Sequence, residues 1–145
     1  MKLFKNTYGH FDTKRNEYVI TNPKTPRPWV NVISNGDYGI VVSQTGSGYS
    51  WRTHAQVNRL TRWEQDIIKD EWGKYVYIRD SHSRKIWSAG WKPVCAKPDR
   101  YTCRHGIGYT VIESLNEGIE TGLLMFVPPD EPVEIWNLTL RNTTR

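Results

Sequence analysis

Apolar and polar residues alternate over short stretches along most of this chain, and only one segment spaces its apolar residues as a helix would. Runs rich in β-branched and aromatic residues, bounded by Gly, Pro, Asn or Asp, fall at 18–21, 30–33, 38–43, 75–79, 85–87, 109–114, 122–127 and 134–141. The last is the cleanest: Trp136, Leu138 and Leu140 share one face, and Asn137, Thr139 and Arg141 the other. Many short strands separated by turn signals predict an all-β fold, an antiparallel β-sandwich. Asn35-Gly36-Asp37 can supply the positive φ of a hairpin, and Pro128-Pro129-Asp130 cannot continue a central ladder.

The departing segment is 60–72. Leu60, Trp63, Ile67, Ile68 and Trp72 lie at near-helical spacing, and Thr61 with Glu64 matches a capping box. The stretch 52–72 therefore reads as an irregular or short helical arm on a β scaffold. No internal repeat or interdomain linker interrupts residues 1–145, so one domain is expected. A sandwich ending just after a strand leaves an edge to cover, which predicts a truncated domain whose natural polypeptide continues.

Composition sharpens the picture in one respect. Seven Trp and eight Tyr stand against three Phe, so rings with a polar handle dominate. Such rings stack on polar ligands such as sugars, and they also pack half-buried strands. The net charge of +5 permits an anionic partner, but the basic residues are scattered, so no nucleic-acid partner is expected. No apolar run approaches the roughly 20 residues of a membrane span, and the first residues lack the apolar core of a signal peptide. No membrane partner, a cytoplasmic location and free thiols at Cys95 and Cys103 are the expectations.

The first stretch with candidate chemistry is 46–54. Gly46 and Gly48 allow close backbone approach, Tyr49 and Trp51 offer stacking faces, and Arg52 and His54 can donate to hydroxyls or phosphate. A glycine hairpin with exposed aromatics accounts for the same residues. In Thr25-Pro26-Arg27-Pro28-Trp29 two prolines hold Arg27 and Trp29 rigidly; a strand entry with Trp29 in the core is the favoured reading on the residues alone. Cys103-Arg104-His105-Gly106, with Cys95 upstream, lacks a fourth ligand, and no metal site is expected. The carboxylates Asp66, Asp70, Glu71, Asp130 and Glu131 lie in polar, solvated stretches with no reason for a raised pKa. With no nucleophile elbow and no P-loop, the residues assemble no catalytic site within this chain.

Read as phrases, the chain resembles the amino-terminal region of glycoside hydrolase family 94, formerly glycosyltransferase family 36. That family includes cellobiose, cellodextrin and chitobiose phosphorylases, β-1,2-glucan phosphorylases and cyclic β-1,2-glucan synthases. The matching phrases run from Tyr8-Gly9-His10-Phe11-Asp12 through Thr25-Pro26-Arg27-Pro28-Trp29, Ser34-Asn35-Gly36-Asp37-Tyr38-Gly39, Gly46-Ser47-Gly48-Tyr49-Ser50 and Asn58-Arg59-Leu60-Thr61-Arg62-Trp63. They continue to Cys103-Arg104-His105-Gly106-Ile107-Gly108-Tyr109 and Phe126-Val127-Pro128, in order across almost the whole chain.

The resemblance implies the first part of a galactose-mutarotase-like antiparallel supersandwich, followed in intact enzymes by a helical linker and an (α/α)6 barrel absent from this chain. It implies an inverting reaction in which an aspartic acid on the barrel protonates the glycosidic oxygen while inorganic phosphate, the co-substrate, attacks the anomeric carbon. Phosphate is already a nucleophile, so the second carboxylate of an inverting hydrolase is unnecessary. No further cofactor is implied. The amino-terminal domain borders the pocket for a β-linked glucoside or oligosaccharide, often that of the neighbouring subunit in a homodimer. The segment 48–62 is the candidate contribution, with Tyr49, Trp51, Arg52, His54 and Arg62 as substrate-binding residues and none as catalytic residue. Disaccharide phosphorylases of the family carry Phe-Tyr where this chain has Trp51-Arg52-Thr53-His54, a departure closer to members acting on longer glucans. The rival from another class is a stand-alone carbohydrate-binding module, which the aromatic surplus also suits.

Overall fold

A computed structural model describes residues 2–62, 66 and 68–144. Among them are twelve strands: β1 (Lys2–Leu3), β2 (Gly9–Asp12), β3 (Glu17–Ile20), β4 (Val30–Ser34), β5 (Tyr38–Ser43), β6 (Gly48–Arg52), β7 (Tyr77–Arg79), β8 (Ile86–Ser88), β9 (Arg100–Gly106), β10 (Tyr109–Asn116), β11 (Ile119–Phe126) and β12 (Ile135–Asn142). All pairings are antiparallel. A seven-stranded sheet has the order β1-β2-β3-β9-β10-β11-β12, a three-stranded sheet the order β4-β5-β6, and β7 pairs with β8.

Strand alternation explains how the two larger sheets meet. Directly opposed residues share a face, so the register aligns Ile20, Cys103, Ile112, Leu123 and Leu138 in one row across the large sheet. From the other side Ile33, Tyr38, Ile40 and Val42 of the small sheet join them in a single apolar cluster. Ile20, Cys103 and Ile112 have no exposed surface. Each such aliphatic side chain contributes roughly 1.5–3 kcal/mol on burial.

Polar side chains pin the small sheet to the large one. Asn31 Nδ2 on β4 lies 2.9 Å from the carbonyl oxygens of both Gly106 and Tyr109. Asn35 Nδ2, in the hairpin after β4, donates to the Pro128 and Glu131 carbonyls at 2.8 and 2.9 Å. Tyr101 on β9 donates its hydroxyl to the Gln44 carbonyl just past β5. The turn residue Asn35 thus also serves as a tie between the layers.

Each of the eight runs expected from alternation contains a strand, and β10 and β11 extend further into a tight hairpin. Glu117 and Gly118 close it with φ of 51° and 73°, the two positive values that a primed turn demands. Among the described residues, those of the 52–72 arm included, no helix forms. Trp63, Glu64, Gln65 and Ile67, on which the capping box and helical spacing depend, lie outside the described residues. Thr61 Oγ1 accepts the Ser50 amide at 2.9 Å, and Leu60 donates its amide to the Ser50 carbonyl at 2.9 Å. With the bridge between Trp51 and Arg59, residues 58–61 run along the free edge of β6.

Candidate functional site

The small sheet is apolar on both faces. Register places Val30 opposite Ser43, Val32 opposite Val41 and Tyr49, and Ser34 opposite Gly39 and Trp51, all on the side turned away from the large sheet. Val30 and Val32 remain 50% and 60% exposed there. The rings of Tyr49 and Trp51, two residues apart on β6, lie 5.7 Å centroid to centroid at 43°. Trp51 lies on Gly39: a Cβ there would come within 2.2 Å of the indole ring, so glycine is what lets the ring lie flat on the sheet.

A strap, residues 68–72, runs along this face, fixed by three buried hydroxyls. Ser43 and Thr45 both donate to Asp70 Oδ2, at 2.9 and 2.6 Å, and Ser47 donates to the Asp70 carbonyl at 2.6 Å. The Gly48 amide donates to the Trp72 carbonyl at 2.8 Å. Asp70 itself has φ 49°, a left-handed conformation that Asp tolerates better than most residues. Burial pushes its carboxyl pKa up, partly offset by the Thr45 and Ser43 hydrogen bonds and the charge of Lys92. This corrects the expectation of a solvated carboxylate, because the strap folds Asp70 back against β5. Exposed Asp66 behaves oppositely, its pKa lowered by the amides of Ile68 and Lys69.

Between strap and sheet lies a cleft of about 350 Å³, floored by Val30, Val41 and Tyr49 and walled by Arg27, Pro28, Lys69, Asp70, Glu71 and Trp72 among others. Of the residues expected from sequence, Tyr49 lines it and Trp51 shares its face. Arg62 stands behind it, with its guanidinium 4.4 Å from the Trp72 ring centroid, a cation–π contact that steadies a wall residue. Arg52 and His54 are not among the lining residues. Arg52 faces the opposite way from Tyr49 and Trp51 along β6 and pairs with Asp37 at 3.3 Å. Thr53, with φ 62°, then turns the chain, leaving His54 exposed with Nδ1 accepting the Gln56 amide at 3.1 Å.

Two further polar clusters have structural partners. Glu134, just before β12, accepts from Tyr38 at 2.9 Å and Ser50 at 2.7 Å, pairs with Lys74, and takes the Trp136 indole N–H at 2.9 Å. Burial alone would raise its pKa, but the hydrogen bonds from Lys74 and Ser50 and the Lys74 charge outweigh it and hold the carboxyl low. His105 on β9 lies with Nε2 3.0 Å from the Trp29 carbonyl and Nδ1 2.9 Å from the Thr110 hydroxyl, so the neutral ring donates from Nε2 and accepts at Nδ1. Burial lowers its pKa to about 4, against a smaller opposing effect of the Trp29 hydrogen bond. Cys103 is buried and Cys95 exposed, both as free thiols. Among the described residues no three His, Cys, Asp or Glu side chains are grouped to hold a metal ion.

The family model described as glycosyl hydrolase 94, supersandwich domain, matches residues 16–145. The chain belongs to glycoside hydrolase family 94. It is 37% identical over 139 residues to the N,N'-diacetylchitobiose phosphorylase of Vibrio proteolyticus, covering 94% of this chain and 17% of that enzyme. It is 38% identical to the solabiose phosphorylase of Paenibacillus borealis, covering 93% of this chain and 18% of that enzyme. The cyclic beta-(1,2)-glucan synthase of Rhizobium meliloti is 30% identical over 96% of this chain and 5% of its own length. The chain thus spans less than a fifth of each of these relatives.

Within this family 94 domain, the cleft brings together Asp70, Trp72 and Arg27, which the sequence alone offered as a solvated carboxylate, a residue at helical spacing and part of a strand entry. The two residues of the proline-flanked motif part company. Trp29 packs edge-on to Tyr8 and Tyr18 at 5.6 and 5.5 Å against the core, while Arg27, two residues earlier, lines the cleft.

Proposed function

We propose that this chain is the amino-terminal, substrate-bordering domain of an inverting phosphorylase that transfers a glycosyl group from a β-linked glucoside or oligosaccharide to inorganic phosphate. The observation that carries the reading is the family match over 16–145, joined to an all-β scaffold whose segment after β6 lies along the edge of that strand. Relatives named as phosphorylases of N,N'-diacetylchitobiose and solabiose point to a disaccharide-sized donor, while Trp51-Arg52-Thr53-His54 argues for a longer one. The catalytic acid belongs to a helical barrel that follows the domain. Phosphate supplies the nucleophile, so the reaction asks one acid of the barrel and none of this chain. The carboxylates described above fit a scaffold, with Asp37 serving Arg52 and Glu134 serving Lys74. In the intact enzyme the arm carrying Trp51, Arg52, His54 and Arg62 reaches the pocket of the second subunit of a homodimer, in the cytoplasm, where Cys95 and Cys103 stay reduced.

A chimera tests this. The corresponding region of the Vibrio proteolyticus enzyme is replaced by this chain, and release of sugar 1-phosphate from N,N'-diacetylchitobiose and from β-linked glucobioses is followed in phosphate buffer. The reading expects turnover by the chimera on at least one of them and none by the 145-residue chain alone. A folded chimera that is no faster than the isolated barrel on every donor sinks it.

A further inference from the structure

We propose that the cleft between the outer face of β4, β5 and β6 and the 68–72 strap is a saccharide-binding site complete within this chain, with Tyr49 as its stacking platform. Val30, Val41 and Tyr49 make an apolar floor, and the rim carries both signs of charge, with Arg27 and Lys69 against Asp66, Asp70 and Glu71. A flat apolar floor calls for a ligand with an apolar face, and a rim of mixed sign calls for one that both donates and accepts hydrogen bonds while carrying no net charge. A β-linked hexose unit meets both demands: its axial C–H groups form an apolar face and its equatorial hydroxyls point outward to the rim. An anion would meet the carboxylates of Asp66, Asp70 and Glu71, and a purely apolar ligand would leave five charged side chains to be desolvated without ligand partners. The volume of about 350 Å³ falls in the range of small-molecule sites, roughly 300–1,000 Å³.

The site is also built in advance. Ser43, Thr45 and Ser47, each no more than 2% exposed, direct their hydroxyls to the strap at Asp70. Three buried hydroxyls on one residue hold the wall at a fixed distance from the floor, which lowers the ordering cost of binding. Both side-chain bonds to Asp70 go to Oδ2, so Oδ1 of this cleft-lining carboxylate carries no hydrogen bond among the described residues and is the acceptor a sugar hydroxyl would use. Tyr49 is braced by the neighbouring Trp51 and by Arg59, whose guanidinium lies 5.9 Å from the phenol ring centroid. A held ring is a better platform than a free one.

The inference goes beyond the phosphorylase reading and needs only this chain. The 145-residue protein is titrated with cellotriose, a β-1,2-linked glucotriose and N,N'-diacetylchitobiose, with inorganic phosphate as the anionic control, and binding is followed by calorimetry and tryptophan fluorescence. Saturable binding of at least one saccharide is expected. Tyr49→Ala is expected to weaken it by about tenfold or more, Tyr49→Phe to change it by less than about threefold, and Arg27→Ala to weaken it by about threefold to tenfold. Arg27 is exposed, so its variant keeps the test decisive should Tyr49→Ala disturb the fold by circular dichroism. No saturable binding of any of the three saccharides overturns the proposal, as does binding that both alanine variants leave unchanged, or saturation by phosphate alone. Chimera activity depends on the barrel as well, so a negative titration beside an active chimera removes the cleft proposal and leaves the phosphorylase reading standing.

Discussion

The two faces of the three-stranded sheet carry similar residues to different ends. On the inner face Ile33, Tyr38, Ile40 and Val42 are at most 7% exposed, locked against the large sheet. On the outer face Val30 and Val32 remain at least half exposed beside Tyr49 and Trp51. Antiparallel sheets with one face in water normally alternate apolar with polar. A sheet that is apolar on both sides is made for two contacts, one permanent and one to be formed. The inner face is therefore where stability lies, and the outer face, with its strap and cleft, is where binding is to be sought.

The sharpest way to break that comparison is a pair of truncations. Ile112→Ala, beneath the small sheet, is expected to cost about 2–5 kcal/mol, because a fully buried branched side chain leaves a cavity that neighbours fill poorly. Val32→Ala on the outer face is expected to cost within about 0.5 kcal/mol. Urea unfolding of the two variants beside the parent measures both, and equal losses would erase the distinction between the faces.

The inner side should also respond to acid through His105. Its pKa is lowered from an ordinary 6.5 to about 4, so the unfolded chain takes up a proton over this interval before the folded one does. The sign follows: stability is fully present above pH 6.5, falls as pH drops from about 6.5 toward 4, and levels off below. The drop reaches up to about 3 kcal/mol. Since other groups titrate near the lower end, the readout is the difference between parent and His105→Gln in urea midpoints at pH 7, 5.5 and 4. A difference that does not change with pH would remove His105 as the cause.

Much of this contrast is written in the sequence, and the parts that are not have a common reason. Alternation located eight strands, because Val, Ile, Tyr and Trp at every second position need no knowledge of their neighbours. β1, β2, β6 and β9 fall outside the eight runs, and in β9 the charged and imidazole side chains of Arg104 and His105 mask the alternation. In the fold Cys103 and His105 point inward, and Arg104 points outward to a carboxylate on the next strand, Glu113, at 2.7 Å. Only the pairing of β9 with β10 reveals that. For the site, the period of two could have divided the candidates in advance: Tyr49 and Trp51 fall on one face and Ser50 and Arg52 on the other. Asp70 could not be foreseen, since its partners Ser43, Thr45 and Ser47 lie more than twenty residues earlier and reach it only when the strap folds back.

Asp70 offers the finest test, because there the outer side works against stability. Its folded pKa is raised, chiefly by burial, so the ionised form is favoured less in the folded chain than in the unfolded one. Stability attributable to this group therefore increases as pH falls through its folded pKa and is lowest at neutral pH. Asp70→Asn keeps an oxygen for the Ser43 and Thr45 hydroxyls and removes the buried charge, so it should be more stable than the parent at pH 7. That advantage should shrink on acidification. Asp70→Ala removes the acceptor as well, strands two buried hydroxyls, and should cost about 1–3 kcal/mol. Urea unfolding at pH 7 and pH 4 separates these outcomes, and an Asn variant as weak as the Ala variant would show that the charge itself holds the strap. A carboxylate kept where an amide would be more stable is what a binding wall selected for its acceptor, rather than for the fold, would look like.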